Sequence, residues 1–183
     1  MLSYLRYLIA LDHKTYLFIH KTYHYPTAFF FFQSITNLAD ITIAFIGIYW
    51  FLGFIYKNSD QKKLLGNILT PVVITTIVTV ILKILIQRTP PRYVHMSWPE
   101  FSLLPWLVAF PSGHASRAFA LATAMSYQFK NAKYFLFLGA VLIGFSRVYI
   151  GAHFPLDVVA GAIVGVAIPI AYHRYTIKKE KST

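Results

Sequence analysis

Five stretches of this chain are long and apolar enough to cross a bilayer, and that leaves few folds open. They run from about Leu38 to Tyr56, Leu64 to Ile86, Ser112 to Gln128, Tyr134 to Ile150 and Pro155 to Tyr172. A spanning helix needs roughly 17–25 mostly apolar residues. The reading is therefore an all-α, multi-span transmembrane helix bundle, one membrane domain over residues 1–183. Only 13% of the residues are charged, against roughly 25% in soluble domains. Pro71 falls inside the second stretch and predicts a kink there.

The N-terminal region, residues 1–37, reads differently. Arg6, Asp12, His13, Lys14, His20, Lys21 and His24 break up its apolar residues. An amphipathic helix lying in the interface fits this pattern better than a span, giving five spans, with six as the alternative. The same charges speak against a secretory signal. Phe29 to Phe32 form either an interfacial anchor or an extension of the first span. The net charge of +11 reflects topology, since the basic residues sit between apolar spans; no nucleic-acid partner is expected. Lys57, Lys62, Lys63, Lys130, Lys133, Arg174, Lys178, Lys179 and Lys181 fall on one face if there are five spans. Lysine-rich short loops stay in the cytoplasm, so the other face points outward. With no cysteine in the chain, disulfides, thiol catalysis and cysteine-held metal are excluded.

Ionisable residues at membrane depth are functional candidates by default, and three blocks of them converge on the outward face. The first is Lys83-Ile84-Leu85-Ile86-Gln87-Arg88-Thr89-Pro90-Pro91-Arg92. Lys83 could simply snorkel, but Arg88 and Arg92 follow at once. The second is Phe110-Pro111-Ser112-Gly113-His114, directly before an apolar helix. Ser112 suits an N-cap. Gly113 lets backbone approach a ligand, and a helix N-terminus suits phosphate. The third runs from Ser146 and Arg147 to His153 and Asp157. Asp157 lies four residues after His153, within reach of its ring if the junction is helical. Arg147 carries a fork suited to phosphate, or pairs with Asp157 as a structural ion pair.

Together these blocks resemble the type-2 phosphatidic acid phosphatase superfamily. That superfamily includes undecaprenyl-diphosphate, phosphatidylglycerophosphate and lipid A phosphatases, glucose-6-phosphatase and vanadium haloperoxidases. The second and third blocks match its pattern fully, and the resemblance covers a catalytic core of about residues 64–172. The N-terminal third adds little to it. The first block departs: the family has Arg-Pro after lysine and six residues, where this chain has Pro90-Pro91. Arg88 or Arg92 is left to supply the guanidinium.

The resemblance implies metal-free chemistry with no cofactor. His153 is the implied nucleophile, Asp157 orients it, and His114 protonates the leaving oxygen and then activates water. Lys83, Arg88, Ser112, Gly113 and Arg147 are implied phosphate ligands. Arg117, three residues after His114, touches the headgroup or pairs with Asp40 or Glu100. The aromatic-rich loop Tyr93 to Phe110 is either an interfacial anchor or a lid for a lipid tail.

The implied activity is a lipid phosphatase of a bacterial inner membrane, with a lipid phosphate as substrate and membrane lipids as surroundings. Undecaprenyl diphosphate, phosphatidylglycerophosphate, phosphatidic acid and the 1-phosphate of lipid A are the candidates; a lipid A or other lipid-phosphate monoester is preferred. A phosphotransferase using the same intermediate and a non-catalytic lipid binder or transporter are the competing readings.

Overall fold

The computed structural model describes residues 2–22, 25–37, 51, 59–91 and 108–182. Among them are six α-helices and no strand. They are α1 (Leu2–Thr22), α2 (residues 26–37), α3 (Ser59–Ile86), α4 (Gly113–Gln128), α5 (Lys133–Tyr149) and α6 (Pro155–Glu180). Among the described residues, three regions, in α3, at Lys130–Tyr149 and in α6, are long and apolar enough to cross a membrane.

The bundle is inside-out relative to a soluble protein. Val73, Ile77 and Ile81 of α3, Phe135, Leu138 and Leu142 of α5, and Val159 and Ile163 of α6 are exposed. Small and polar residues fill the interior instead. α4 packs against α3, α5 and α6 and buries Ala115, Ser116, Ala118, Ala120, Ala122, Thr123 and Ala124. Lipid tails are as apolar as leucine, so helices gain most by close backbone approach through small residues. The buried row of α6 is Asp157, Gly161, Gly165 and Pro169, one residue per turn. A Cβ added at Gly161 would lie 2.5 Å from the Ser112 carbonyl oxygen, and one at Gly165 would lie 2.3 Å from that of Ser116. Only glycine permits that α4–α6 contact.

One expected boundary moves. α6 runs to Glu180, beyond the expected end at Tyr172. α4, read as a segment from about Ser112 to Gln128, runs Gly113–Gln128, about 24 Å at 1.5 Å per residue, and packs against α3, α5 and α6. α3 continues through Pro71 as one helix. Thr75 donates to the Pro71 carbonyl at 2.7 Å, the usual back-bonding of a helical threonine to the carbonyl four residues earlier. The first expected span lies mostly outside the described residues, as do Arg92 and most of the loop Tyr93 to Phe110.

α1 is a single helix with Arg6 and Lys14 exposed. It buries Asp12 and Tyr16 while Tyr7, Leu11 and Phe18 are exposed, and it packs on α5 and α6.

Candidate active site

The corner between α5 and α6 is built by local signals. Gly151, at φ 75°, turns the chain after α5, a conformation glycine adopts without steric cost. The Arg147 carbonyl then accepts from the N–H groups of Ala152 (3.0 Å) and His153 (3.1 Å). Pro155 opens α6, where its missing N–H costs nothing. Asp157, in the first turn, accepts from the Phe154 N–H at 2.8 Å. His153 therefore sits on a short, fully hydrogen-bonded turn, buried at 7% exposure.

Backbone hydrogen bonds sew the three blocks together. The Ser112 N–H donates to the Asp157 carbonyl at 2.8 Å, joining the start of α4 to the start of α6. The Ala109 N–H donates to the Arg88 carbonyl at 2.7 Å, and the Lys83 ammonium donates to the Val108 carbonyl. Ser112 caps α4, its hydroxyl accepting from the Ala115 N–H at 3.4 Å. His114 follows two residues after Ser112, in the first turn of α4, half-buried. A lysine, a capped helix N-terminus and the His153 corner thus share one end of the bundle.

Arg88 lies between two carboxylates. One guanidinium nitrogen reaches Asp157 Oδ1 at 2.6 Å and another reaches Asp12 Oδ2 at 2.5 Å. Its carbon lies 4.2 Å from the centre of the Phe154 ring. The arginine paired with Asp157 in the structure is Arg88. Asp12 also accepts from the Leu156 N–H at 2.8 Å. The N-terminal third, which adds little to the family resemblance, supplies this carboxylate. Its signal was present in the sequence: a lone acid in a basic and aromatic segment.

His153 Nδ1 stands 3.8 Å from Asp157 Oδ2. That is an electrostatic contact longer than a hydrogen bond, and such contacts commonly tighten when substrate binds. Burial pulls the imidazole from its ordinary 6.5 down to about 4; Asp157 opposes the shift, while Arg147 and Lys83 reinforce it. The ring is neutral at physiological pH, the state in which it can attack an electrophile.

A cavity of about 330 Å³ opens between α3 and α4 beside this end. Lys83, Gly113 and Arg117 line it at the top, and Thr76, Thr79 and Ser116 line it below. A Cβ at Gly113 would lie 3.7 Å from the Arg117 guanidinium and 3.8 Å from the Lys83 side chain. Two cations therefore flank the helix N-terminus, an arrangement suited to an anion. Asp40 and Glu100, the suggested partners of Arg117, lie outside the described residues. Ser146, by contrast, is turned to the α2 side, its hydroxyl 2.9 Å from that of Thr36.

Residues 64–181 match the PAP2 superfamily. Undecaprenyl-diphosphatase BcrC of Bacillus subtilis is 32% identical over 68 residues, covering 37% of this chain and 35% of that protein. Lipid A 1-phosphatase of Rhizobium etli is 33% identical over 101 residues, covering 52% of this chain and 43% of that protein. The alignments thus span less than half the length of these curated relatives. LpxE of Aquifex aeolicus superposes with a TM-score of 0.70 at 29% identity, covering 90% of this chain and 96% of that chain. A PAP2-type phosphatidylglycerolphosphate phosphatase of Bacillus subtilis shares the fold, with a TM-score of 0.72 at 22% identity over 93% of this chain and 87% of that one.

Proposed function

The chain belongs to the PAP2 superfamily, and from that premise we propose that it is an integral-membrane lipid phosphatase working through a phosphohistidine. The observation that carries the proposal is the Ser112–Asp157 backbone hydrogen bond. It sets the His114 helix start against the His153–Asp157 corner, beside the Lys83–Arg117 cavity.

In this reading Nδ1 of His153 carries the proton and faces Asp157, leaving Nε2 as the nucleophile. Nε2 attacks phosphorus, and the bond to the lipid-side oxygen breaks with its electron pair going to that oxygen. Protonated His114 gives its proton to the leaving oxygen. Asp157 stabilises the cationic phosphohistidine. Neutral His114 then takes a proton from water, whose oxygen attacks phosphorus; the N–P bond breaks, and phosphate and neutral His153 are released. Lys83, Arg147, the Ser112 hydroxyl and the Gly113 N–H hold the phosphoryl oxygens, with Arg117 toward the headgroup. Preorganised donors of this kind carry most of the stabilisation in phosphoryl transfer. Arg88 serves Asp157, and Arg92 is the remaining candidate for the family's further arginine.

The chemistry is metal-free in this proposal, because Lys83, Arg117 and Arg147 would repel a divalent cation from the position a phosphate takes. Phosphate release should be unchanged by excess EDTA; inhibition reversed by Mg²⁺ would overturn this point.

The substrate proposed first is a lipid phosphate monoester of the lipid A 1-phosphate type, with undecaprenyl diphosphate second. The Rhizobium etli relative aligns over the longer stretch of the two. Detergent-purified protein assayed against both, with phosphatidic acid and phosphatidylglycerophosphate alongside, decides between them. Free phosphate supports hydrolysis; label passed to a second lipid would show a phosphotransferase. The site is proposed on the outer face of a bacterial inner membrane, with the C-terminus in the cytoplasm. Supporting this, the Lys63–Glu180 ion pair, 2.7 Å, joins the start of α3 to the end of α6 at the opposite, lysine-rich end.

The state of His153 predicts a pH profile. The neutral ring attacks and the protonated ring does not, so activity falls as pH drops through the folded-state value of about 4. The acid limb of kcat/KM assigned to His153 should lie well below the 6.5 of free histidine. A single acid limb at or above that value, removed by no other substitution, would contradict the neutral buried ring.

A further inference from the structure

The reading above makes no use of Asp12, yet its carboxylate is fully buried. Its two contacts are to the N–H of Leu156, the residue before Asp157, and to Arg88, which also binds Asp157. Oδ1 accepts from the Leu156 N–H at 2.8 Å, in the first turn of α6, where N–H groups have no partner inside the helix. Phe154, the residue before α6, has no side-chain acceptor to do this. Oδ2 binds one terminal nitrogen of Arg88 while the other binds Asp157 Oδ1.

A guanidinium facing one carboxylate tends to close on it with two parallel bonds. Here the fork is shared between two carboxylates, and that leaves Asp157 Oδ2 for the Phe154 N–H at 2.8 Å and for His153 Nδ1 at 3.8 Å. We propose that Asp12 is a positioning residue that splits the Arg88 fork and so keeps the second oxygen of Asp157 turned to His153. Without its charge, Arg88 closes on both oxygens of Asp157, and the histidine loses its orienting partner. The N-terminal helix is thereby a part of the catalytic apparatus: Tyr16 packs edge-on to Phe154 at 5.4 Å, and His20 Nδ1 lies 2.9 Å from the Tyr149 carbonyl oxygen, docking α1 on the same corner.

Asp12→Asn keeps the size and an acceptor for Leu156 but removes the charge. It should lower kcat about 10-fold or more, as loss of an outer-shell partner does. KM should stay within about twofold, because Asp12 touches no phosphate ligand. Adding Arg88→Lys to Asp12→Asn should restore part of kcat, since an ammonium cannot grip both oxygens as a fork does. Thermal unfolding in detergent is followed in parallel. Wild-type kcat in Asp12→Asn overturns the proposal. So does a loss of folded protein or a joint change in kcat and KM that Arg88→Lys does not relieve, because either marks a purely structural role. The inference rests on His153 and Asp157 being the reacting pair. His153→Ala is therefore run beside it: an active His153→Ala enzyme defeats that reading, whereas an inactive one with a fully active Asp12→Asn defeats only this inference.

Discussion

Replacement of His153 by alanine should abolish phosphate release while leaving the bundle folded. Loss of a nucleophile that acts as one unit with its partners costs roughly 10⁴-fold or more. The structural cost should be small for a specific reason. Asp157 retains the Arg88 guanidinium at 2.6 Å and the Phe154 N–H at 2.8 Å when the ring is gone, so no buried charge is orphaned. The ring itself makes no side-chain hydrogen bond through Nδ1. Rapid quench of the wild-type protein in alkaline detergent with labelled lipid phosphate should trap a label on the chain that survives base and is lost in acid, and His153→Ala should trap none. Near-normal turnover in the variant would remove His153 from the nucleophile role, and label trapped at another residue would reassign it.

The second large effect concerns a position with no polar atom to lose. Gly165→Ala should separate α4 from α6 and lower both stability and activity. The new methyl would sit 2.3 Å from the Ser116 carbonyl oxygen, 2.9 Å from the Phe119 Cβ and 3.0 Å from the Ala120 N. Two of these are backbone atoms that cannot rotate away, so the helices themselves must move. Overpacking of a tight interface costs about 1–3 kcal/mol, and backbone collision puts Gly165→Ala at the upper end. Gly161→Ala, 2.5 Å from the Ser112 carbonyl, should hurt activity more than stability because it pushes on the residue hydrogen-bonded to Asp157. Gly139→Ala in α5 is the matched control, since a Cβ there meets nothing within 4 Å; it should be neutral or gain up to about 1 kcal/mol. Thermal midpoints in detergent check the series, and equal midpoints for Gly165→Ala and Gly139→Ala would refute the close-packing account.

The spacing Gly161-x-x-x-Gly165 was visible in the chain and is a known signal for close helix approach. Its partner, α4, was not, because small residues mark an interface without saying which helix fills it. Arg88 shows the same limit. Its charge and its place after α3 are readable from the sequence, but whether it meets a phosphate or a carboxylate depends on where α1 docks.

The sequence by itself determined the apolar segments, the capped start of α4, the Gly151 turn and the His153-x3-Asp157 corner. Each is decided within a few residues by hydrophobic length, N-capping, a positive φ or a helix-start proline. Tertiary structure alone decided the pairing of charges and the helix neighbours. Asp12 reaches Arg88 across 76 positions and Ser112 reaches the Asp157 carbonyl across two helix starts. Buried charges take whichever partner the packed backbone brings within hydrogen-bond distance, and that distance is set by small-residue contacts between helices far apart in the chain.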